Sequence, residues 1–204
     1  MIKAIRITAL MVVVVSGLAS CTRKTNGRDH VKALEEAEAL HKTVTAGNIS
    51  YTFRVNTAEA MAWKDCYDPE TKKIDKARYE KRLKELQGFV FVFIDQKVAD
   101  RNISVLKFNA ANNAVYEERV KYYEFRAGAD LRMICNGMEY PPSSYQYENH
   151  MDLSPVNTMV AVFPVCDRGN DWQVVFNDRI MNNLLLKANF SKHDIEALPP
   201  LEIK

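Results

Sequence analysis

Phe89-Val90-Phe91-Val92-Phe93-Ile94 is the stretch of this sequence that decides the fold. All six side chains are apolar, so a strand formed by them cannot leave either of its faces in water. A strand with two covered faces lies in the middle of a sheet, with other layers packed on both sides. The sequence therefore predicts a central strand here, with the rest of the domain arranged around it.

One strand and three helices are predicted ahead of this central strand. Residues 49–55 alternate apolar and polar side chains, which is the pattern of a half-buried strand. Residues 30–46 carry apolar side chains along one stripe behind a capping Asp29, so they predict a helix that Gly47 ends. The other two helices are predicted over residues 58–63 and 75–87, and the many charges of the latter indicate a face in water.

The chain after the central strand is rich in strand and turn patterns. Asn136-Gly137 between apolar flanks is the strongest short signal for a hairpin, here over residues 131–140. A helix is predicted over residues 114–126. Further strands are predicted at residues 103–108, near 145–147, and at 158–165, 172–176 and 184–190. Together these elements predict an α+β fold, a mainly antiparallel sheet or small β-sandwich with about three helices packed at one face or end.

The charge of the chain argues against nucleic acid as a partner. The formal net charge is +2, and without Lys3 and Arg6 of the first twenty residues there remain 26 basic and 26 acidic side chains. Nucleic-acid binding depends on basic side chains that neutralise phosphates. A neutral domain therefore has no electrostatic footprint for DNA or RNA.

The first 21 residues have the layout of a secretory signal peptide that ends in a cysteine. A short basic segment over residues 1–6 precedes an apolar run over residues 7–15, which is too short to span a membrane. Leu18-Ala19-Ser20-Cys21 then resembles the lipobox of bacterial lipoproteins, in which a branched apolar residue and two small residues precede the cysteine. The cysteine lies where the apolar segment ends, which makes the resemblance specific.

This resemblance implies that Cys21 is a lipid anchor. In bacterial lipoproteins diacylglycerol is attached to the cysteine sulfur, the chain is cleaved before the cysteine, and the new amine is usually acylated. Two or three acyl chains hold a protein stably on a membrane. We therefore expect a signal peptide over residues 1–20, a lipidated cysteine and flexible tether over residues 21–29, and a single α+β domain over residues 30–204. No other cofactor and no metal is predicted.

Bacterial sorting rules, applied by the same resemblance, indicate where the anchor lies. Thr22 is not the aspartate that retains lipoproteins in the inner membrane of enterobacteria, so the outer membrane is expected. Residues 22–28 are basic, whereas acidic residues after the cysteine mark surface export in some bacteria. We therefore expect the domain to face the periplasm.

Reactive side chains form no recognisable catalytic or metal-binding pattern. Cys66, Cys135 and Cys166 have no zinc-ligand spacing. We prefer three buried thiols to a single disulfide, which an oxidising compartment would permit, or to a reactive thiol, and the pairing cannot be read from sequence. The strongest candidates for an enzymatic role are His150, Asp152 and Cys166, near predicted loops or strand ends.

A binding surface is the alternative to a catalytic site. Tyr140, Tyr145 and Tyr147 surround Pro141-Pro142, a composition that is found in sugar and peptide grooves, although such tyrosines more often pack onto a sheet. We therefore expect a non-enzymatic scaffold or accessory lipoprotein that binds an envelope protein. A subunit of a secretion apparatus, and an envelope hydrolase or a solute- or glycan-binding lipoprotein, are the alternatives.

Overall fold

The computed structural model describes residues 27–150, 153–166, 170–181 and 184–196. Its helices are α1 (Gly27–Glu36), α2 (Ala58–Cys66), α3 (Lys76–Leu86), α4 (Asn113–Phe125) and α5 (Lys192–Glu196). Its strands are β1 (His41–Ala46), β2 (Ile49–Asn56), β3 (Tyr67–Asp68), β4 (Lys73–Ile74), β5 (Phe89–Val98), β6 (Leu131–Cys135), β7 (Met138–Tyr140), β8 (Ser144–Glu148), β9 (Val156–Pro164), β10 (Trp172–Asp178) and β11 (Leu184–Phe190).

The apolar strand β5 lies in the middle of a five-stranded antiparallel sheet with the order β1-β2-β5-β9-β8. On one face of β5, Val92 and Ile94 are completely buried in the main core. On the other face, Phe91 packs with Ala58 of α2 and Tyr79 of α3 in a second apolar cluster. The prediction of a central strand with two covered faces is confirmed, because the main core and the helices each cover one face.

A second antiparallel sheet, with the order β11-β10-β6-β7, packs on the inner face of the first. Its inward side chains, among them Leu131, Met133 and Phe176, share one core with the first sheet. The chain passes from one sheet to the other at Pro141-Pro142, between β7 and β8. Proline suits this corner because it cannot donate a ladder hydrogen bond. The predicted α+β class is confirmed, as a two-layer sandwich with a helical layer on the larger sheet.

Local sequence signals account for most element boundaries. The side chains of Thr57 and Asp75 accept hydrogen bonds from backbone amides in the first turns of α2 and α3, which is the role of N-cap residues. Asn136 and Gly137 both have positive φ, 52° and 73°, as the predicted two-residue hairpin turn requires. Among the described residues, no helix has both the length and the apolar composition of a membrane-spanning helix.

The predicted helix over residues 30–46 is wrong in its second half. Helix α1 ends at Glu36, and after a short 3-10 turn the residues from His41 onward form the edge strand β1. Three consecutive residues, Thr43, Val44 and Thr45, are β-branched and suit a strand better than a helix. Gly47, with a φ of 59°, turns the chain into β2 and does not end a helix.

The predicted strand at residues 103–108 is also wrong. The neighbours of β5 are β2 and β9, and residues 101–110 form a looped segment without a strand. Its apolar side chains are nevertheless buried, since Val105 and Leu106 lie in the main core. The buried Arg119 of α4 supplies hydrogen bonds that a neighbouring strand would otherwise supply. Its Nη1 donates to the carbonyl oxygens of Val105, Leu106 and Phe108.

Candidate binding surface

The three tyrosines predicted as a binding surface lie around the corner between β7 and β8. Tyr147 is 9% exposed and stacks on Tyr123 of α4, with ring centroids 5.6 Å apart. Tyr145 is half-buried, and its hydroxyl donates to the backbone oxygen of Tyr123 at 2.7 Å. Tyr140 is half-buried as well. The packing of Tyr145 and Tyr147 gives them a role inside the domain, and their role in binding stays a prediction.

Tyr145 is held by a close approach to the backbone. A Cβ added to Gly128 would lie 2.7 Å from Cγ of Tyr145, so only glycine leaves room for the ring. Burial raises the pKa of Tyr145 well above its ordinary value. The hydroxyl is therefore a permanent donor to the backbone of α4, which anchors this helix to the edge of the larger sheet.

The most unusual polar group of the interior is Asp178, the last residue of β10, which is completely buried between the sheets. Its Oδ2 accepts hydrogen bonds from the hydroxyls of Tyr51 and Tyr123, both at 2.7 Å, and from Nε2 of Gln96 at 3.1 Å. Its Oδ1 accepts from two backbone amides of the following turn at 3.2 Å. The carboxyl group thus ties both sheets and α4 together.

The chemistry of Asp178 is that of a structural group. Burial raises its pKa, and the hydrogen bonds from Tyr51 and Tyr123 oppose this shift because they stabilise the ionised form. A buried charge is tolerated only where such donors compensate for the lost water. Since Asp178 has no exposed surface, no substrate can reach it in this conformation.

Of the three residues named for an enzymatic role, the structure describes His150 and Cys166, and no hydrogen bond or ion pair joins these two. His150 is exposed, and Oε2 of Glu148 lies 3.9 Å from its Nε2. Asp152 lies outside the described residues. Cys166 is disulfide-bonded to Cys135, so it offers no thiol for catalysis. Among the described residues, no group of three potential metal ligands is clustered.

The disulfide corrects the preference for three buried thiols. Cys135 ends β6 in the smaller sheet and Cys166 follows β9 in the larger sheet, so the bond joins the two layers. Their Cα atoms are 6.4 Å apart. Cys66, at the end of α2, is free and buried, and burial raises the pKa of its thiol, which lowers its reactivity. No sequence spacing could reveal this pairing, because it depends on how the two sheets pack.

A second surface that could bind a partner is the outward face of the smaller sheet. It has a shallow cavity of about 360 Å³, lined by side chains of β6, β10 and β11. Val175 lies at its centre and is only 8% exposed, because its cross-strand neighbours are Arg132 and Lys187, whose aliphatic stems flank it. Ile134 and Leu185 extend the apolar area, and Leu185 is 56% exposed.

We call this cavity together with its rim the open sheet face. The rim is charged. Arg132, Arg179 and Lys187 are its basic residues, and Asp130 and Glu139 are its acidic ones. Asp130 is already paired with Arg179 at 2.7 Å. An apolar centre with a polar rim is the anatomy of a protein interface.

The sequence contains one signal for this face that the predictions did not include, an apolar residue at an outward position of β10. In β10 the inward residues are Trp172, Val174 and Phe176, while Gln173 and Asn177 point outward with Val175 between them. An apolar residue on the polar side of an alternating strand indicates either a covering layer or a binding surface.

Comparisons with known proteins add little to this description. No protein-family model matches the chain, and no curated protein matches it. A DUF4426 family protein from Pseudomonas aeruginosa PAO1 is among the solved structures that match, with a TM-score of 0.34 and 6% sequence identity over 74% of this chain and 91% of that chain. A likeness at this level carries no argument about fold or function.

Proposed function

We propose that this chain is an outer-membrane lipoprotein, anchored by lipid on Cys21, whose periplasmic α+β domain binds a protein partner and catalyses no reaction. The observation that carries the binding proposal is the open sheet face. Helices α2 and α3 cover the outward side of the larger sheet, whereas on the corresponding side of the smaller sheet Leu185 is 56% exposed among charged side chains.

The disulfide between Cys135 and Cys166 supports an envelope compartment. Disulfides form and persist in secreted and periplasmic proteins and are rare in the reducing cytoplasm. The bond therefore agrees with export by the signal peptide that the lipobox resemblance implies, although Cys21 itself lies outside the described residues.

The chemistry of the open sheet face indicates the kind of partner that it fits. Leu185 and the half-buried Ile134 offer aliphatic contact, and Arg132 and Lys187 have no acidic partner within 4 Å among the described residues. A protein surface with aliphatic side chains beside carboxylates would complement both features. One named catalytic candidate, Cys166, is disulfide-bonded and offers no thiol nucleophile, which supports binding over thiol-based hydrolysis.

The anchor is tested by replacing Cys21 with serine. We expect the variant to take up no labelled palmitate and to accumulate as the uncleaved precursor, because the sulfur that accepts the lipid is missing. Cys66→Ser is the matched control and should be labelled like the wild type. Incorporation of palmitate into the Cys21 variant at the wild-type level would refute the lipoprotein proposal.

The open sheet face is tested by photo-crosslinking in intact cells. A crosslinking amino acid at Leu185 or at Lys187 should give an adduct with the same protein, and one at Glu117, exposed on α4, should not. Introducing Leu185→Asp beside the crosslinker at position 187 should remove the adduct, whereas His150→Ala should leave adduct and phenotype unchanged. Two results would overturn the binding proposal. One is an equal yield of adduct with the crosslinker at position 117. The other is loss of the cellular function in a His150→Ala variant that folds stably and still captures the partner.

A further inference from the structure

A second cavity lies on the opposite layer of the domain, between α2 and α3. Its volume is about 430 Å³, and it is lined by Asp65, Cys66, Arg78, Lys81, Arg82 and Glu85. We call it the α2–α3 groove. Its lining is almost entirely polar and charged, so it differs from the apolar centre of the open sheet face.

One arginine neutralises both carboxylates of the groove. Nε of Arg82 lies 2.7 Å from Oδ2 of Asp65, and its Nη1 lies 2.9 Å from Oε2 of Glu85. Arg78 and Lys81 have no carboxylate within 4 Å among the described residues, and both are exposed. The groove therefore presents two basic side chains whose charges are not compensated by the protein.

The surroundings of the groove add to its positive charge. Residues 72–84 contain seven basic and two acidic side chains, although the chain after residue 20 is neutral overall. Basic side chains grouped in this way attract anions over a distance of about one Debye length, roughly 8–10 Å at physiological salt. An anionic group is thus the ligand that this surface fits.

The position of the groove relative to the start of the domain indicates the source of that anion. Cys66 in the groove is followed by Tyr67, whose hydroxyl accepts a hydrogen bond from Nη2 of Arg28 at 2.6 Å. Helix α1 begins at Gly27, six residues after Cys21. Six extended residues reach at most about 22 Å, so a lipid on Cys21 keeps this side of the domain close to the bilayer.

We propose that the α2–α3 groove binds the phosphate headgroup of an anionic phospholipid, as a second attachment beside the lipid anchor. Guanidinium and ammonium groups donate strong, charge-assisted hydrogen bonds to phosphate. This inference rests on the proposed lipidation of Cys21. Since α2 and α3 cover one side of the sandwich and the open sheet face lies on the other, the second attachment directs the open sheet face away from the membrane and toward its partner.

The test uses the full-length lipidated protein in phosphatidylcholine vesicles, with and without phosphatidylglycerol. A photo-crosslinker at Ala77, exposed on α3 one turn before Lys81, should crosslink to phospholipid more strongly when phosphatidylglycerol is present. A crosslinker at Lys187 on the open sheet face should give no lipid adduct in either vesicle. Flotation with the vesicles measures the anchor separately, so failure to float would count against the proposed function and not against the groove.

A pair of matched variants separates the groove from the general charge of α3. Arg78→Gln with Lys81→Gln should lower the affinity for phosphatidylglycerol about 25-fold, at about five-fold for each basic side chain near an anionic surface. Lys76→Gln with Lys84→Gln makes the same charge change outside the groove and should have a smaller effect.

Three results would overturn the inference. One is equal crosslinking at position 77 in both vesicles by a protein that floats. Another is an equal loss in the two paired variants, which would assign the attraction to the whole helix. The third concerns hydrogen exchange of the backbone amides of α3. If inorganic phosphate slows this exchange and phosphatidylglycerol does not, the groove is a site for free phosphate.

Discussion

Removing the disulfide is expected to lower the free energy of unfolding by about 3–4 kcal/mol. Cys135 and Cys166 are 31 residues apart, and a bond that closes a loop of this length restricts the unfolded chain by about 12 cal/mol/K, or about 3.7 kcal/mol at 25 °C. Alanine is the suitable replacement at both positions, because each side chain is at least nine-tenths buried and a serine hydroxyl there would add its own cost.

Urea unfolding followed by tryptophan fluorescence measures this effect. Trp172 is buried and pairs directly with Cys135 across β10 and β6, so its emission reports on the packing around the bond. Reductant should destabilise the wild type and leave the double alanine variant unchanged. Cys66→Ala removes a buried thiol that is not bonded, and it should lower the free energy of unfolding by about 1 kcal/mol. This cost should be the same with and without reductant, because the variant keeps the disulfide.

A count of thiols decides whether the bond exists. With Cys21 lipidated as proposed, one thiol should react after unfolding without reductant, and three should react after reduction. Three reactive thiols without reductant, in protein prepared from the envelope under conditions that block exchange, would refute both the pairing and the stability argument built on it.

The remaining predictions concern single groups of the core. Arg119→Met should cost about 3 kcal/mol in urea unfolding because three backbone carbonyls lose a charged donor, whereas Arg126→Met on the exposed side of α4 should cost less than about 1 kcal/mol. Phe91→Ala should cost about 3–5 kcal/mol, and Phe93→Ala roughly half as much, because Phe93 is only half-buried; equal midpoints would contradict this difference in burial. Burial raises the pKa of Asp178 above its ordinary value of 3.8, so the folded protein binds this proton more tightly than the unfolded chain does. The stability from that proton is present below pH 3.8 and is lost as the pH rises through the raised pKa of the folded protein. Unfolding measured at a series of pH values should therefore show the stability of the wild type, relative to Asp178→Asn, falling as the pH rises from 3.8 through the raised pKa. A difference between the two proteins that does not change with pH would contradict the shift.

Local patterns in the sequence determined most of the elements of this fold. The run of apolar residues in β5 required two covered faces, and the structure supplies them with the core on one side and two helices on the other. Alternation identified β2, and Asn136-Gly137 identified the hairpin of β6 and β7. Signals of this kind succeed because burial periodicity and turn geometry are properties of a few neighbouring residues. The proposed anchor at Cys21 rests on the same kind of local motif and stays a prediction.

Long-range contacts decided the rest, and the errors show why. Residues 103–108 have the composition of a strand, but β2 and β9 take both sides of β5, and Arg119 from a later helix satisfies the carbonyls of the looped segment. Residues 41–46 fit a helical stripe, yet a turn at Gly47 pairs them with β2. The disulfide, the buried Asp178 and the open sheet face all join residues that are distant in the sequence. They follow from how two sheets and α4 pack, and the energy of that packing is set by the whole domain, so no local window of the sequence contains it.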